Sequence, residues 1–177
     1  MKKIFLLICF LCGMVEIVAQ NTAPYKTHIN VGYGVNNFAN ASCGMMYESL
    51  YFGLDMNVNM KTPTWGKCYD ISMNRFMEDH QEQVIYIPAS FNAVVGINVK
   101  NFMTICGMIG FGSKVYAMNC FDRLYILGNR YGQYHKIEKT ESIGNYGGKC
   151  IFYIKRLSLH IAYTTIEKLS FGLGWNL

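Results

Sequence analysis

The last nine residues of the chain alternate strictly between large apolar side chains and small or polar ones. From Leu169 to Leu177 every odd-numbered residue is Leu, Phe or Trp, and every even-numbered residue is Ser, Gly or Asn. Successive side chains of a β-strand point to opposite faces, so this period of two predicts a strand with one wholly apolar face. The chain must therefore form a β-structure in which a core or lipid covers that face.

The same alternation recurs upstream often enough to count eight strands. The clearest is 50–61, where six apolar residues alternate with Tyr, Gly, Asp, Asn and Lys. Pro88 lies inside the fourth strand and cannot donate a sheet hydrogen bond, which predicts a bulge or irregular pairing there. The pattern predicts an all-β, eight-stranded antiparallel up-and-down barrel. The predicted strands are 26–35, 39–47, 50–61, 84–97, 102–118, 149–154, 157–164 and 169–177.

The N-terminus has the pattern of a secretory signal peptide. Two lysines follow Met1, residues 4–15 are nearly all apolar but too short to span a membrane, and a small residue suited to cleavage follows. We expect residues 1–19 to be a cleaved signal peptide and residues 20–177 to form one domain. A lipoprotein is the alternative, but the two cysteines of the apolar stretch follow bulky residues and lie too early for lipidation.

The composition is that of a chain with much apolar surface and little charge. Hydrophobic residues make up 51% of the chain and charged residues only 15%, against about a quarter in a typical soluble domain. After residue 19 no apolar run approaches the roughly 20 residues that a transmembrane helix needs. Apolar residues at alternate strand positions reconcile these facts, as they do in outer-membrane barrels. The net charge of +5 includes no basic block, so nucleic acid is not an expected partner.

The connections between the predicted strands alternate in length. Tight turns at 48–49, 98–101 and 155–156 follow the second, fourth and sixth strands, whereas long polar loops, 62–82 and 119–147, follow the third and fifth. If both termini lie at one end of the barrel, these three tight turns lie at that end and the two long loops lie at the other. Short periplasmic turns and longer outer loops are typical of bacterial outer-membrane barrels, so this length pattern favours a transmembrane barrel.

The faces opposite the apolar ones carry Gly, Ser, Asn and Thr. An eight-stranded barrel is only just wide enough to be filled by its own side chains, so we expect a packed interior without an open pore. Alternation places His28 and His160 inside. We expect both histidines to complete a polar network with groups such as Asn30, Asp55 or Asn57.

Four segments of the chain have the strand pattern of one known family: ASCGMMY (41–47), YIP (86–88), GMIG (107–110) and FYIKRLSL (152–159). They resemble the porin-family outer-membrane β-barrel domain, and the resemblance covers nearly all of residues 20–177. It implies a small OmpA/OmpX-like barrel in the outer membrane of a Gram-negative bacterium, exported by the general secretory route and surrounded by outer-membrane lipid and lipopolysaccharide. The terminal strand, with Trp175 two residues before the end, resembles the segment that the barrel assembly machinery recognises, although Leu177 stands where Phe is commoner.

A tyrosine-rich part of the second long loop is the best candidate for binding. Tyrosine stacks on sugars or peptides and arginine binds phosphate or carboxylate, so contact with a glycan, lipopolysaccharide or a host protein is chemically sensible. The alternative is that the flanking strands extend past the membrane and the tyrosines pair across them. The candidate residues are Tyr125, Arg130, Tyr131, Tyr134, His135 and Lys136.

No residue pattern predicts a cofactor, a catalytic site or a metal site. The five cysteines after residue 19 are odd in number and fit no zinc spacing. Cys68 and Cys120 lie in or near the two long loops, where an oxidising compartment would permit a disulfide. The acidic, histidine-containing segment 78–82 is explained by a solvated outer loop.

Three functions remain open at this stage. We expect a structural or surface-interaction protein without catalytic activity. One alternative is a small outer-membrane enzyme acting on lipid through His28 or His160, although no serine or carboxylate lies at an informative spacing from either. The other is a soluble periplasmic ligand-binding barrel of the lipocalin type, with its apolar faces turned inward. Apolar faces on eight strands exceed what so narrow a core can hold, which favours the membrane.

Overall fold

A computed structural model describes residues 26–69, 78–99, 102–122, 124–126 and 132–177, and all regular elements in these ranges are β-strands. No helix in the described part is long and apolar enough to span a membrane. The strands are β1 (Lys26–Gly34), β2 (Phe38–Tyr47), β3 (Leu50–Asn59), β4 (Lys67–Cys68), β5 (Glu78–Tyr86), β6 (Ala89–Val99), β7 (Met103–Asp122), β8 (Gln133–Ile154), β9 (Leu157–Thr164) and β10 (Lys168–Asn176).

Eight of these strands close into an antiparallel barrel. Around the ring the order is β1, β2, β3, β6, β7, β8, β9 and β10, and β10 pairs back to β1. This closing seam runs from His28 opposite Asn176 to Gly34 opposite Ser170. Each ring strand pairs with the next ring strand along the chain, so the predicted eight-stranded up-and-down barrel is confirmed. The predicted signal peptide, 1–19, lies outside the described residues.

Burial alternates along the ring strands as the sequence predicts. In β9 every other residue is exposed and the residues between are buried. The exposed set is apolar and the buried set is mostly small or polar, which is the inverse of a soluble protein. The exposed set is Leu157, Leu159, Ile161 and Tyr163, and the buried set is Ser158, His160, Ala162 and Thr164.

Pro88 interrupts the fourth predicted strand, as expected. β5 ends at Tyr86 and β6 begins at Ala89, and the two strands lie one after the other along the same edge of β7. The end of β3 binds the interruption: the Asn59 backbone N–H donates to Pro88 O at 2.8 Å, and Asn59 Nδ2 donates to Ile87 O at 3.2 Å. The carbonyl groups of Ile87 and Pro88, where the strand is interrupted, therefore both accept hydrogen bonds.

Both predicted long loops contain strand residues, and this corrects their boundaries. β7 continues to Asp122 and β8 begins at Gln133, so residues 119–122 and 133–147 of the second predicted loop are strand. The predicted loop 62–82 contains β4 and the beginning of β5. Strands that leave the apolar band lose the apolar alternation on which the prediction depended, and cross-strand pairing holds them instead.

β7 and β8 extend beyond the ring into a structure that we call the protruding sheet. It consists of β5, residues 115–122 of β7 and residues 133–140 of β8, with β4 at its edge. β8 pairs with β9 only from Gly147 onward, and residues 133–140 of β8 extend beyond the end of β9. The beginning of β1, the end of β10 and the turns 48–49 and 155–156 lie at the opposite end, which we call the terminal end.

Candidate functional site

An apolar band covers the outer surface of the ring. Its large aliphatic side chains point away from the lumen; Leu54 is 60% exposed and Ile109 is 71% exposed. Aromatic residues flank the band, as in membrane-spanning barrels. Tyr33, Tyr146 and Tyr163 lie toward the protruding sheet, and Tyr47, Phe102 and Trp175 lie toward the terminal end. The outside of the barrel therefore has the chemistry of a surface immersed in lipid.

An apolar groove of about 580 Å³ lies within this band, across β1, β2, β3, β6 and β7. Ala41 and Ala93 form part of its lining beside the larger Leu54 and Phe91. The rings of Phe91 and Phe111 lie 6.0 Å apart between centroids. The groove is continuous with the outer apolar surface and is one of its features.

The lumen holds a buried ion pair. Lys149 Nζ lies 3.0 Å from Asp55 Oδ2, and both side chains are 1% exposed. The ammonium group also donates to Ser42 Oγ at 2.8 Å, and the Asp55 carboxylate accepts a hydrogen bond from Asn40 Nδ2. A buried charge is tolerated when it is paired and its remaining hydrogen-bonding capacity is used, and both conditions hold here.

Polar side chains continue this network toward the protruding end. Asn40 Nδ2 donates to Asn57 Oδ1 at 2.7 Å, and Asn57 Nδ2 donates to Ser90 Oγ at 3.1 Å. Ser90 donates to the carboxylate of Glu167, which also accepts from Asn145 Nδ2 at 3.0 Å. The lumen is thus filled by linked side chains of the barrel itself.

The turn between β9 and β10 closes the protruding end of the lumen. Ile166 is buried, and its backbone N–H donates to Asn145 Oδ1 at 3.1 Å. Its side chain uses the space left by Gly112, where a Cβ atom would come within 2.6 Å of Ile166 Cδ1. Glu167 follows with its carboxylate in the lumen network. The chain's own turn therefore fills this mouth.

His28 joins a serine and an asparagine near the terminal end. Its Nε2 lies 2.6 Å from Ser158 Oγ, and its Nδ1 lies 3.1 Å from Asn30 Nδ2 and 3.3 Å from Tyr51 OH. A nucleophile, a base and an orienting group would have this arrangement in an acyl-transfer enzyme. Here Ser158 and Asn30 are wholly buried, so the arrangement serves the polar interior. The predicted contact between His28 and Asn30 is confirmed.

His160 differs from its predicted role in the network. Neither ring nitrogen has a hydrogen-bond partner within the described ranges. The imidazole instead lies against the seam pair Gly32 and Gly172, and a Cβ atom on Gly172 would lie 2.3 Å from His160 Cε1. Because neither glycine has a side chain, the His160 ring fits against them, and this packing contact holds the ring in place.

A cavity of about 310 Å³ opens below this group at the terminal end. His28 and Tyr51 form its inner wall, and Lys155 and Leu177 lie at its rim. The Tyr153 hydroxyl, which also lines it, is hydrogen-bonded to Thr104 Oγ1 at 2.9 Å. The filled part of the lumen lies between this cavity and the other mouth.

Three of the predicted binding residues lie on β8 in the protruding sheet. Tyr134 is wholly buried, and its ring meets that of Tyr69 edge-on at 5.9 Å between centroids. His135 Nδ1 donates to Trp65 O at 3.1 Å. Lys136 is also buried. The first two of these side chains contact the chain's own segment 63–69, which we call the strap.

Asn119 is the second anchor of the strap, and sequence reasoning did not find it. Its Oδ1 accepts from the Trp65 backbone N–H at 3.2 Å, and its Nδ2 donates to Pro63 O at 2.8 Å. The Tyr69 backbone N–H donates to His135 O at 3.0 Å and fixes the far end of the strap. A single asparagine in a strand gives no signal in the sequence for contacts with residues more than fifty positions away.

A fourth predicted binding residue, Tyr125, lies at the end of the hairpin between β7 and β8. Tyr125 is exposed there, with a positive φ of 55° and its ring edge-on to Phe121 at 6.1 Å between centroids. Arg130 and Tyr131 lie outside the described residues. Of the four predicted residues that the structure describes, Tyr125 is therefore the exposed one at the hairpin end.

Burial and neighbouring charge perturb the titration of groups in and beside the protruding sheet. Burial raises the pKa of Tyr134 to about 12, raises the pKa of the Cys120 thiol and lowers the pKa of Lys136. At its exposed flank Lys139 Nζ lies 2.5 Å from Glu141 Oε1, and hydrogen bonding to this lysine lowers the pKa of the Glu141 carboxyl. The sheet thus has a buried polar side and a charged, solvated flank.

Cys68 and Cys120 are free thiols. Cys68 lies opposite His135 on one side of β8, and Cys120 lies opposite Tyr134 on the other side. Two strand spacings of about 4.8 Å separate them, so their Cα atoms are about 10 Å apart. A disulfide needs less than about 7 Å, and β8 therefore keeps the two thiols apart.

Neither a family model nor a curated protein sequence matches the chain. Solved structures do resemble it. One is Ail, the attachment invasion locus protein of Yersinia pestis, in complex with the heparin analogue sucrose octasulfate. Its sequence is 8% identical to this chain, the TM-score is 0.45, and the match covers 86% of this chain and 95% of Ail. Another is Neisserial surface protein A, 10% identical with a TM-score of 0.39, matched over 86% of this chain and 94% of that one. The fold assignment rests on this chain's own strand pairing, which confirms the resemblance to small eight-stranded barrels.

Proposed function

We propose that the chain is an integral outer-membrane barrel that presents the protruding sheet outside the cell as a surface-interaction element, without catalytic activity. The inverted polarity of the ring carries the proposal. Leu54 and Ile109 are largely exposed outside, whereas Lys149 and Asp55 are buried inside. Only lipid makes such an outer surface favourable, and only a closed sheet can satisfy its backbone there.

The apolar residues point outward, which argues against a soluble lipocalin-like barrel. That kind of protein needs an apolar lumen around its ligand, and this lumen contains an ion pair and linked amides. The filled lumen also gives no support to a transport function. The burial of Ser158 likewise gives no support to a lipid-modifying enzyme, because a substrate carbonyl has no access to its hydroxyl.

The lengths of the connections favour one orientation. Short turns and both termini of the barrel would face the periplasm, and the protruding sheet would face outward, as in bacterial barrels. Residues 1–19 would direct export by the secretory route, and β10 would be recognised by the barrel assembly machinery. Outer-membrane lipid and lipopolysaccharide would then surround the apolar band.

The outward sheet offers chemistry for contact with glycans or proteins. Lys114 Nζ lies 4.9 Å from the centre of the Tyr116 ring, and the Tyr116 hydroxyl donates to Glu141 Oε2 at 2.9 Å. This partly exposed flank combines aromatic and charged groups, as carbohydrate and protein surfaces require. Tyr125, at the hairpin end, adds an exposed aromatic ring, and Arg130 and Tyr131 follow in the same segment of the sequence.

The two tryptophans of the chain test the membrane location. Trp175 lies at the terminal edge of the apolar band and Trp65 in the strap, so Trp65→Phe and Trp175→Phe each leave one reporter. In vesicles that contain brominated lipid, we expect strong quenching of Trp175 and little quenching of Trp65. Unquenched Trp175, or a protein that remains soluble and folded without detergent or lipid, would contradict the proposal.

A further inference from the structure

A stretch of β8 in the protruding sheet has a neighbouring strand on one side only. On that side residues 137–144 pair with β7. On the other side β4 pairs only with residues 134–135, and β9 pairs only from Gly147 onward. Among the strands that the structure describes, none lies beside residues 137–144 there, and we call this side of β8 the open edge. Such an edge presents backbone N–H and C=O groups that another strand can bind.

The open edge is exposed to solvent. Residues 137–140 are exposed without interruption, and exposed and half-buried residues alternate from 141 to 144. Four consecutive exposed residues include both faces of the strand, so neither face is covered there. A second strand can therefore approach the open edge without displacing side chains of this chain.

The charges of the open edge are arranged around Thr140. Charged side chains ordinarily keep an exposed edge from pairing with other chains, and this edge contains Glu138, Lys139 and Glu141. Lys139 and Glu141 lie on one face of β8, where they form an ion pair. Reversal of the strand about Thr140 exchanges these two positions. An antiparallel second copy in that register would place its Glu141 opposite Lys139 and its Lys139 opposite Glu141.

The charges favour this register over its neighbours. When a two-fold axis relates two identical antiparallel strands, the register is defined by the residue that faces its own copy. A register centred on Lys139 or on Glu141 sets like charges directly opposite each other, which is destabilising. The register centred on Thr140 gives two opposite-charge pairs and a threonine pair, all of which are favourable across strands. The open edge is therefore complementary to itself.

The direction of the protruding sheet decides where the second copy lies. Its strands β7 and β8 continue from the barrel wall, so an axis perpendicular to the sheet is parallel to the membrane plane. Half a turn about this axis reverses the direction in which the barrel points, and the two copies then belong to two membranes that face each other. At about 3.3 Å per residue, Thr140 lies about 23 Å along β8 from Gly147, where β9 joins. The contact is thus clear of both rings.

We propose that the open edge is a contact between two copies of this chain: residues 138–142 pair antiparallel with the same residues of a copy in a facing membrane. β4 limits the pairing at one end, and at the other end the Thr165 backbone N–H donates to Tyr146 O at 3.0 Å. A single contact of five residues is weak, but many copies between two surfaces act together. This inference rests on the proposed function, since it requires a membrane-embedded barrel whose protruding sheet faces outward.

The experiment uses the whole protein reconstituted from detergent into lipid vesicles in both orientations, and light scattering measures vesicle clustering. We expect wild-type vesicles to cluster. Lys139→Glu and Glu141→Lys should each reduce clustering at least about tenfold, because either change sets like charges opposite each other in both pairs. A mixture of vesicles that carry the two variants should cluster again, since every pair then joins Glu to Lys.

Two controls separate this register from a general effect of charge. Lys61→Glu and Glu82→Lys make the same charge changes at exposed residues outside the open edge, and should cluster like wild type, alone or mixed. In a protein whose other cysteines are replaced by serine, Thr140→Cys should form a disulfide between copies on oxidation. Ser142→Cys should not, because the register sets Ser142 opposite Glu138.

The outcomes distinguish this inference from the proposed function. It is overturned if Lys139→Glu vesicles cluster as well as wild type, if the mixture clusters no better than either variant alone, or if the control variants lose clustering equally. Cross-linking of Ser142→Cys in preference to Thr140→Cys would overturn the register. Wild-type barrels that insert without clustering the vesicles contradict the open-edge contact alone, whereas failure to insert would contradict the proposed function.

Discussion

The ammonium group of Lys149 lies 3.0 Å from the Asp55 carboxylate inside the barrel, on strands that are not neighbours in the ring. The pair joins β3 to β8 across the lumen. Ser42 and Asn40 of β2 bind the two charged groups from a third strand. This polar contact connects distant walls of the barrel, as an apolar core does in a soluble protein.

Removal of one charge of this pair should lower the free energy of unfolding far more than removal of both. Lys149→Met leaves Asp55 buried without its counter-ion, and we expect a loss of about 3–5 kcal/mol in the free energy of unfolding. Lys149→Met/Asp55→Leu should recover much of that loss, because no unpaired charge remains. Urea unfolding in lipid vesicles, followed by fluorescence, measures both variants. Equal losses in the single and double variants would show that the pairing of the charges is unimportant.

A charge placed on the apolar band should destabilise the barrel. Leu54→Arg or Leu173→Arg should lower the free energy of unfolding by about 2–4 kcal/mol if these residues lie near the bilayer midplane. Ile137→Arg introduces the same charge at a partly exposed aliphatic position of the protruding sheet, and should be nearly neutral. The same urea titration applies. A neutral Leu54→Arg would remove the lipid-facing assignment.

The seam between β1 and β10 should be sensitive to a single methyl group. Gly172→Ala would place a Cβ atom 2.3 Å from His160 Cε1 and 2.3 Å from Val31 O. We expect about 1–3 kcal/mol of destabilisation from this overpacking. Gly144→Ala is the control, because no atom lies within 4 Å of its added Cβ. Similar unfolding midpoints for the two variants would argue against a tightly packed seam.

The sequence predicts the ring well because lipid imposes one rule on every residue there. Along β10 the apolar set faces outward and Ser170 faces inward, so simple alternation identifies the strand and both of its faces. Pro88 also acts locally, since its missing N–H interrupts whichever strand contains it. The apolar period of two, a proline within a strand and the residues typical of turns can each be recognised from a few neighbouring residues.

The protruding sheet could not be predicted in the same way. Its strands extend beyond the apolar band, so their side chains face solvent or the strap instead of lipid. Residues such as Lys139 and Glu141 are as common in a loop as in a strand, and they do not identify the strand. The contacts that define it join Asn119 to Pro63 and His135 to Trp65, across separations of more than fifty residues. Val115 shows the change of environment: it follows the outward-facing Ile109 and Phe111 in the odd-numbered positions of β7, but it is buried beside Tyr86 of β5.

The strap should loosen at high pH. Burial raises the pKa of Tyr134 to about 12 from an ordinary value of 10, so its neutral form is the one compatible with the folded sheet. The stability that this residue contributes is complete below about pH 10 and is lost as the pH rises toward about 12. In Trp175→Phe, the fluorescence of Trp65 should change over that range. Adding Tyr134→Phe should abolish this part of the change, and an unaltered profile would rule out Tyr134 as its origin.

Loss of the Asn119 anchor should loosen the sheet locally and so make the buried thiol of the neighbouring residue, Cys120, more accessible. Cys120 is wholly buried and its pKa is raised by burial, whereas Cys68 is exposed, so a maleimide should label Cys68 rapidly and Cys120 slowly in single-cysteine proteins. Asn119→Ala removes two hydrogen bonds to the strap, at about 1 kcal/mol each, and should accelerate labelling of Cys120 by about thirtyfold. Thr140→Ala, at an exposed position of β8, is the control and should leave the rate unchanged. If Asn119→Ala leaves Cys120 as slow as before, the strap is held by contacts other than this asparagine.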